Sequence, residues 1–155
     1  MSTRTADVCD EMGDKIAALT TQFRSFGAVD MFHGRARTIR CFEDNSLLKA
    51  AIEEPGEGAV LVVAGGGSLA CELMGGLMAQ RALDNGWAGV VIDGAVRDQH
   101  ELERIPLGVM AIGTNPRKST KNGDGERDQP VTIGGAVIRP GACIWCDRDG
   151  VVVER

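Results

Sequence analysis

Two short apolar runs constrain this chain more than anything else in it. Ala59-Val60-Leu61-Val62-Val63-Ala64 is continuously apolar, as is Ala88-Gly89-Val90-Val91-Ile92 up to Asp93. A strand with one wet face alternates apolar and polar residues, because successive side chains point to opposite sides. An unbroken, β-branched run therefore predicts a strand covered on both faces, which is the habit of parallel strands inside an α/β fold. Residues 47–53 read as a helix that Asn45 or Ser46 can cap and that Pro55-Gly56 ends. Residues 69–85 read as helical up to a stop at Gly86, 98–104 as a short helix, and 107–112 as a third strand. The centre of the chain is thus β-α-β-α-β.

The flanks have a different texture. Residues 5–16 fit a short helix with Thr5 as N-cap, and Ala36-Arg37-Thr38-Ile39-Arg40-Cys41 alternates like a half-exposed strand. Residues 114–130 are polar and carry both charge signs, including Arg117, Lys118, Lys121 and Arg127. They suit either a solvated loop or a lid or subunit contact. Beyond them, Val131-Thr132-Ile133 and Ala136-Val137-Ile138 flank Gly134-Gly135, a two-residue hairpin turn, and Pro140-Gly141 and Asp149-Gly150 mark further turns. The expected architecture is one α/β domain over residues 1–155 with a mixed sheet and a C-terminal antiparallel meander.

The composition excludes or weakens several function classes. No apolar run reaches the roughly 18–20 residues of a membrane span. Residues 1–5 lack the apolar segment of a secretory signal, so the cytoplasm is the expected address. A formal net charge of −5 gives no sign of a broad nucleic-acid surface. It leaves room for a local basic site that takes a small anion. The five cysteines, Cys9, Cys41, Cys71, Cys143 and Cys146, are an odd number for a disulfide scaffold. Cys143-Ile144-Trp145-Cys146 spells CxxC, but in a strand its two sulfurs would diverge. Gly65-Gly66-Gly67-Ser68-Leu69-Ala70 matches a G-x-G-x-x-A nucleotide loop or methyl-donor loop. The same residues serve equally as a tight strand-to-helix turn, and three parallel strands are few for a dinucleotide fold.

Two segments carry chemistry. Gly75-Gly76 interrupts the helical pattern, and each glycine inside a helix costs roughly 1 kcal/mol against alanine. Ending one helical piece there and starting another at Leu77 would present free backbone N–H groups from Gly76, Leu77 and Met78 to an anion. Close packing explains the glycines equally well. Twenty residues on, Arg97-Asp98-Gln99-His100-Glu101 follows the second buried strand, at the strand end where α/β sheets collect ligands. Arg97 can grip a carboxylate through two parallel hydrogen bonds. Asp98 is a hard oxygen donor for magnesium or manganese, and Glu101 shares its helix face. An exposed helix start with a surface ion pair is the plainer alternative. His100 would point away from that face.

The spacing of Gly76, twenty residues, Arg97-Asp98, two residues and Glu101 resembles the G-x20-R-D-x2-E/D signature of the RraA-like family. Phe26-Gly27, residues 40–45, residues 62–68, Asp93-Gly94-Ala95-Val96-Arg97 and Thr114-Asn115-Pro116-Arg117-Lys118-Ser119 resemble further blocks of that family, so that the likeness covers residues 5–154. The family includes 4-hydroxy-4-methyl-2-oxoglutarate aldolases, oxaloacetate decarboxylases and regulators of ribonuclease E. The resemblance implies a three-layer β/β/α swivelling-type domain, a homotrimer with sites near subunit interfaces, and a small 2-oxo acid substrate. It further implies substrate contacts from Gly75, Gly76, Leu77, Met78 and Arg97, a divalent cation (Mg2+ or Mn2+) on Asp98, and Arg97, Asp98 and Glu101 as the catalytic set. Dedicated aldolases of the family carry an acid where this chain has Gly76, which Glu101 would partly replace. Non-catalytic ribonuclease regulators tend to lack the aspartate after the arginine, and Asp98 is present. The implied function is metal-dependent carbon–carbon cleavage through a pyruvate enolate. The alternative is a ribonuclease-binding regulator. Asp44-Asn45 would either reach the site or only cap a helix.

Overall fold

A computed structural model describes residues 2–155. The elements are α1 (Thr5–Met12), β1 (Ile16–Ala18), β2 (Arg24–Ser25), β3 (Phe32–Arg40), α2 (Ser46–Ile52), β4 (Val60–Ala64), β5 (Glu72–Met74), α3 (Gly76–Asp84), β6 (Gly89–Val96), α4 (Gln99–Leu102), β7 (Gly108–Thr114), β8 (Glu126–Arg127), β9 (Val131–Ile133), β10 (Ala136–Ile138), β11 (Cys143–Asp147) and β12 (Gly150–Glu154). The large mixed sheet runs β1-β12-β11-β3-β4-β6-β7-β2, with β5 attached to β6 and β8 to β3. Its centre, β3-β4-β6-β7, is parallel. β9 and β10 form a separate antiparallel hairpin.

The apolar runs behave as their composition requires, since both faces of the parallel strands are buried. Leu61, Val63, Val90, Ile92, Val109 and Ala111 pack with Leu48, Ala51, Ile52, Ala79 and Ala82 of helices α2 and α3. Their neighbours Val60, Val62, Val91 and Met110 face the other way, into a core shared with Ile133, Ile138, Ile144 and Val151 from the β-meander. The outcome is three layers, helices over parallel strands over antiparallel strands. The Gly134-Gly135 turn has φ of 54° and 79°, both left-handed, as a tight hairpin turn demands.

Four local expectations need correction. Arg4, not Thr5, is the N-cap of α1. Thr5 is buried and tied to Asp147, which accepts from its backbone N–H and its hydroxyl, both at 2.7 Å. Residues 69–85 are not one helix. The chain turns after Gly67, forms β5, and enters α3 only at Gly76. All of residues 71–76 are buried. The extended conformation lets β5 pair with Ala95 and Val96 of β6. The glycine-rich turn therefore leads into a strand, so the strand–turn–helix geometry of a nucleotide loop is absent. Residues 114–130 are also more than solvated loop, for they carry β8 and bridge Thr120 to Asp44 and Lys118 to Glu72. In the CxxC segment Cys146 is buried in the β-layer core, with its thiol pushed well up by burial, while Cys143 is only half-buried.

Candidate functional site

The Gly75-Gly76 break places the start of α3 beside the end of β6. Gly75 is the N-cap with extended backbone, and the first helical hydrogen bond runs from Ala79 N–H to Gly75 C=O at 3.0 Å. Across from it, Arg97 leaves β6 with its N–H on the Met74 carbonyl at 3.1 Å. Asp98 then takes a left-handed conformation, φ 65° and ψ 46°, which is uncommon for a residue with a side chain and is tolerated best by Asn and Asp. This one residue turns the chain so that α4 starts back toward α3. Asp98 Oδ2 accepts the Gly76 N–H at 2.9 Å. The absence of side chains at both glycines is what allows the approach. A Cβ on Gly75 would lie 2.7 Å from Asp98 Oδ2, and one on Gly76 would lie 3.0 Å from the Cβ and Cδ of Glu101, with Glu101 Oε2 nearer still.

Gly75, Leu77, Met78, Arg97 and Asp98 line a cavity of about 320 Å³. Glu101 and Gly76 meet just outside its lining. The expectation of a free Gly76 N–H is corrected here, because Asp98 already takes it. Leu77 and Met78, in the first turn of α3, keep N–H groups with no partner inside the helix. His100 is exposed. Asn45 does more than cap. Its side chain makes no cap bond to α2. It donates to the Leu73 carbonyl at 3.2 Å, accepts from Lys121 Nζ at 2.8 Å, and lines the cavity.

Sequence reasoning missed two contributors, Lys49 and Glu72, and left Lys118 and Lys121 inside a segment that suited either a solvated loop or a lid. Lys49, Lys118, Lys121 and Arg97 make the cavity locally cationic in a chain of net charge −5, while Arg81 at the rim is taken up by Glu53. Asp44 anchors the lysine-bearing segment: its carboxylate accepts from Ser46 N–H at 2.9 Å, Thr120 Oγ1 at 3.0 Å and Asn122 N–H at 2.6 Å. Burial alone would raise its pKa, but these bonds prevail and hold it at about 2. Glu72 sits on the cavity floor, its side chain only 4 % exposed, with Oε1 3.5 Å from Arg97 Nε. Burial pushes the Glu72 carboxyl up, although Arg97, Lys121 and Lys118 pull it down.

Among the described residues no group of three or more His, Cys, Asp or Glu side chains comes close enough to cage a metal ion. The donor set suits a hard cation held by one or two carboxylates and completed by water and substrate, the usual manner of magnesium. A larger hollow of about 500 Å³ lies elsewhere, lined by His33, Arg35, Arg37, Cys143 and Trp145 among others. It contains no carboxylate pair beside an arginine.

Residues 5–153 match the RraA-like family model, described as Aldolase/RraA. A protein of Alkalilimnicola ehrlichii, named a candidate 4-hydroxy-4-methyl-2-oxoglutarate aldolase, is 49 % identical over all of this chain and 96 % of its own length. The solved RNA-processing inhibitor RraA from Thermus thermophilis superposes with a TM-score of 0.95 at 46 % identity, covering 99 % of this chain and 93 % of that one. A Geobacillus kaustophilus structure, named as an S-adenosylmethionine:2-dimethylmenaquinone methyltransferase, gives 0.96 at 46 % identity, covering 97 % and 94 %. The chain belongs to the RraA-like family.

Proposed function

We propose that this protein is a divalent-metal-dependent carbon–carbon lyase acting on small 2-oxo acids, a 4-hydroxy-4-methyl-2-oxoglutarate aldolase and/or oxaloacetate decarboxylase. The observation that carries the reading is the juxtaposition of Arg97 and Asp98 with the start of α3 at one cationic cavity. Aldolase-named relatives support it. A di-acid needs positive charge at more than one place, and Arg97, Lys118 and Lys121 all line the cavity.

The chain's own part follows from the geometry. Arg97 binds the substrate carboxylate, and the N–H groups of Leu77 and Met78 add donors at the positive end of α3. Asp98, fixed by Gly76 N–H, would hold Mg2+ or Mn2+, with Glu101 next to it. The cation's contribution, when bound, is Lewis-acid polarisation of the 2-oxo acid's oxygens. In decarboxylation the C3–carboxylate bond breaks, carbon dioxide leaves, and the electron pair becomes the enolate of pyruvate, which takes a proton from water. In retro-aldol cleavage the 4-hydroxyl loses its proton as the C3–C4 bond breaks to the same enolate, and Glu101, just outside the cavity lining, would take that proton through a water. Arg97 stabilises the negative charge that grows in both.

The reading includes a cytoplasmic homotrimer. Leu77, which lines the cavity and is 75 % exposed, supports burial of this face by a neighbouring subunit. No helix among the described residues is long and apolar enough to cross a membrane. A ribonuclease-binding regulator is the second reading, favoured by the likeness to the Thermus inhibitor. Assay of the purified protein alone on oxaloacetate and on 4-hydroxy-4-methyl-2-oxoglutarate, with magnesium or manganese and then with excess chelator, decides between them. Turnover that the chelator abolishes supports the lyase. Rates no higher than metal alone would move the conclusion to the regulator.

A further inference from the structure

Glu72 is not explained by the fold. A carboxylate on a buried strand is costly unless its oxygens are partnered. Here Oε2 is buried with no hydrogen-bond partner, and so is Nε of Arg97. The two side chains face each other at 3.5 Å, Oε1 to Nε, which is a charge contact and not a hydrogen bond. Arg97 is held on two further sides. Its Nη1 donates to the Pro116 carbonyl at 3.1 Å, and its Cγ and Nε pass over Gly75, where a Cβ would lie 3.4 and 3.5 Å from them. The backbone under Glu72 is rigid, paired to Ala95 of β6 and bonded to the Arg117 carbonyl at 2.8 Å. A fully apolar residue at position 72 would serve the core better. The acid therefore acts on what lies above it.

We infer that Glu72 is the positioning residue of Arg97, a buried counter-charge that holds the Nε side of the guanidinium down so that its remaining donors face an anion in the cavity. This rests on the lyase reading above, in which Arg97 grips the substrate carboxylate. A guanidinium loose on its stem can still meet an anion, but it gives up the two-point geometry and the entropy already invested in its orientation. The carboxylate grip is made in ground and transition states alike, so loosening it falls mainly on KM, while the guanidinium's charge stays in the cavity to stabilise the growing enolate.

The test compares wild type with Glu72→Gln, Glu72→Asp, Arg97→Lys and the Glu72→Gln/Arg97→Lys double variant, each checked for a cooperative melt. Two readouts are taken with magnesium present: steady-state decarboxylation of oxaloacetate, and calorimetric binding of oxalate as a probe for the planar 2-oxo acid. Glu72→Gln is expected to raise KM and the oxalate Kd by about fivefold or more while kcat stays within about threefold. Glu72→Asp, which keeps the charge and shortens the arm, should fall between. In the Arg97→Lys background Glu72→Gln should change oxalate affinity less than about twofold, because residues that act through one another are not additive. An unchanged KM in a folded Glu72→Gln protein overturns the inference. So does the same loss in both backgrounds, which would mark a merely structural acid. Wild-type protein that neither turns over oxaloacetate nor binds oxalate would instead overturn the lyase reading, and this inference with it.

Discussion

Gly75→Ala separates the site from the fold with a single methyl group. The backbone at Gly75 is extended, φ −120° and ψ −169°, so alanine meets no conformational strain there. The new Cβ would stand 2.7 Å from Asp98 Oδ2, against an ordinary contact of 3.4 Å or more, so the carboxylate must retreat by about 0.7 Å. The same oxygen accepts the Gly76 N–H at 2.9 Å, and a retreat of that size along the bond stretches it to about 3.6 Å, where it no longer counts as a hydrogen bond. A lost bond to a charged acceptor costs about 1.5–3 kcal/mol, and replacing glycine at a compatible position returns about 0.4–1 kcal/mol. The net is a destabilisation of about 1–2 kcal/mol, a Tm drop of about 2–8 °C for a chain this size. The catalytic cost is larger, since a misplacement near 1 Å is enough for about 100-fold. Metal-dependent oxaloacetate decarboxylation and thermal denaturation of the same preparation measure both. A folded Gly75→Ala protein with wild-type kcat/KM would refute the claim that the Asp98 carboxylate must sit where Gly75 allows it.

Three further outcomes follow from the contacts. Asp44→Asn removes a carboxylate whose pKa of about 2 lies below its unfolded value of 3.8; the wild-type stabilisation is present above pH 3.8 and lost as pH falls toward 2. Urea titrations across pH 2–6 should show a gap of about 1–2 kcal/mol that closes in acid, together with weaker turnover, because Thr120 and Asn122 no longer fix Lys121. A gap that does not vary with pH would contradict this. Glu72→Gln has the opposite sign. The folded state holds the Glu72 proton more tightly than the unfolded chain, so wild-type stability falls as pH rises from 4.5 through the raised pKa. The variant should therefore gain on wild type along that path, and denaturation midpoints at pH 4 and pH 7 reveal it. Gly134→Ala forces a left-handed φ of 54° on a side chain whose Cβ would lie 2.8 Å from the Thr20 and Thr21 amide nitrogens. Chemical denaturation should register a loss of about 2–4 kcal/mol, with kcat unchanged in the folded fraction.

What could be read from the sequence was what local pattern encodes. The two apolar runs specified the central parallel strands, because only double-sided burial tolerates them. Gly134-Gly135 specified its hairpin through backbone freedom. Arg97, Asp98 and Glu101 could be named because they lie within five residues of one another, at the end of a strand. β5 was hidden because Glu72-Leu73-Met74 is too short to show a period, and the helical pattern on its far side ran across the glycines. The acid and lysines of the cavity carried no local sign. Glu72 meets Arg97 across 25 positions, and Lys121 meets Asn45 across 76. Such pairings exist only once the sheet order is known. Thr5 was misjudged for the same reason, since its partner Asp147 lies 142 residues away.

The central claim is that Arg97 and Asp98 form one working site for metal-dependent cleavage of a 2-oxo acid. Its most direct test is the magnesium- or manganese-dependent rate of oxaloacetate decarboxylation by wild type, Arg97→Ala and Asp98→Ala, each with its melting temperature recorded. The account predicts turnover in the wild type that chelator removes and that both folded variants lose. Full metal-dependent turnover by Asp98→Ala would contradict it.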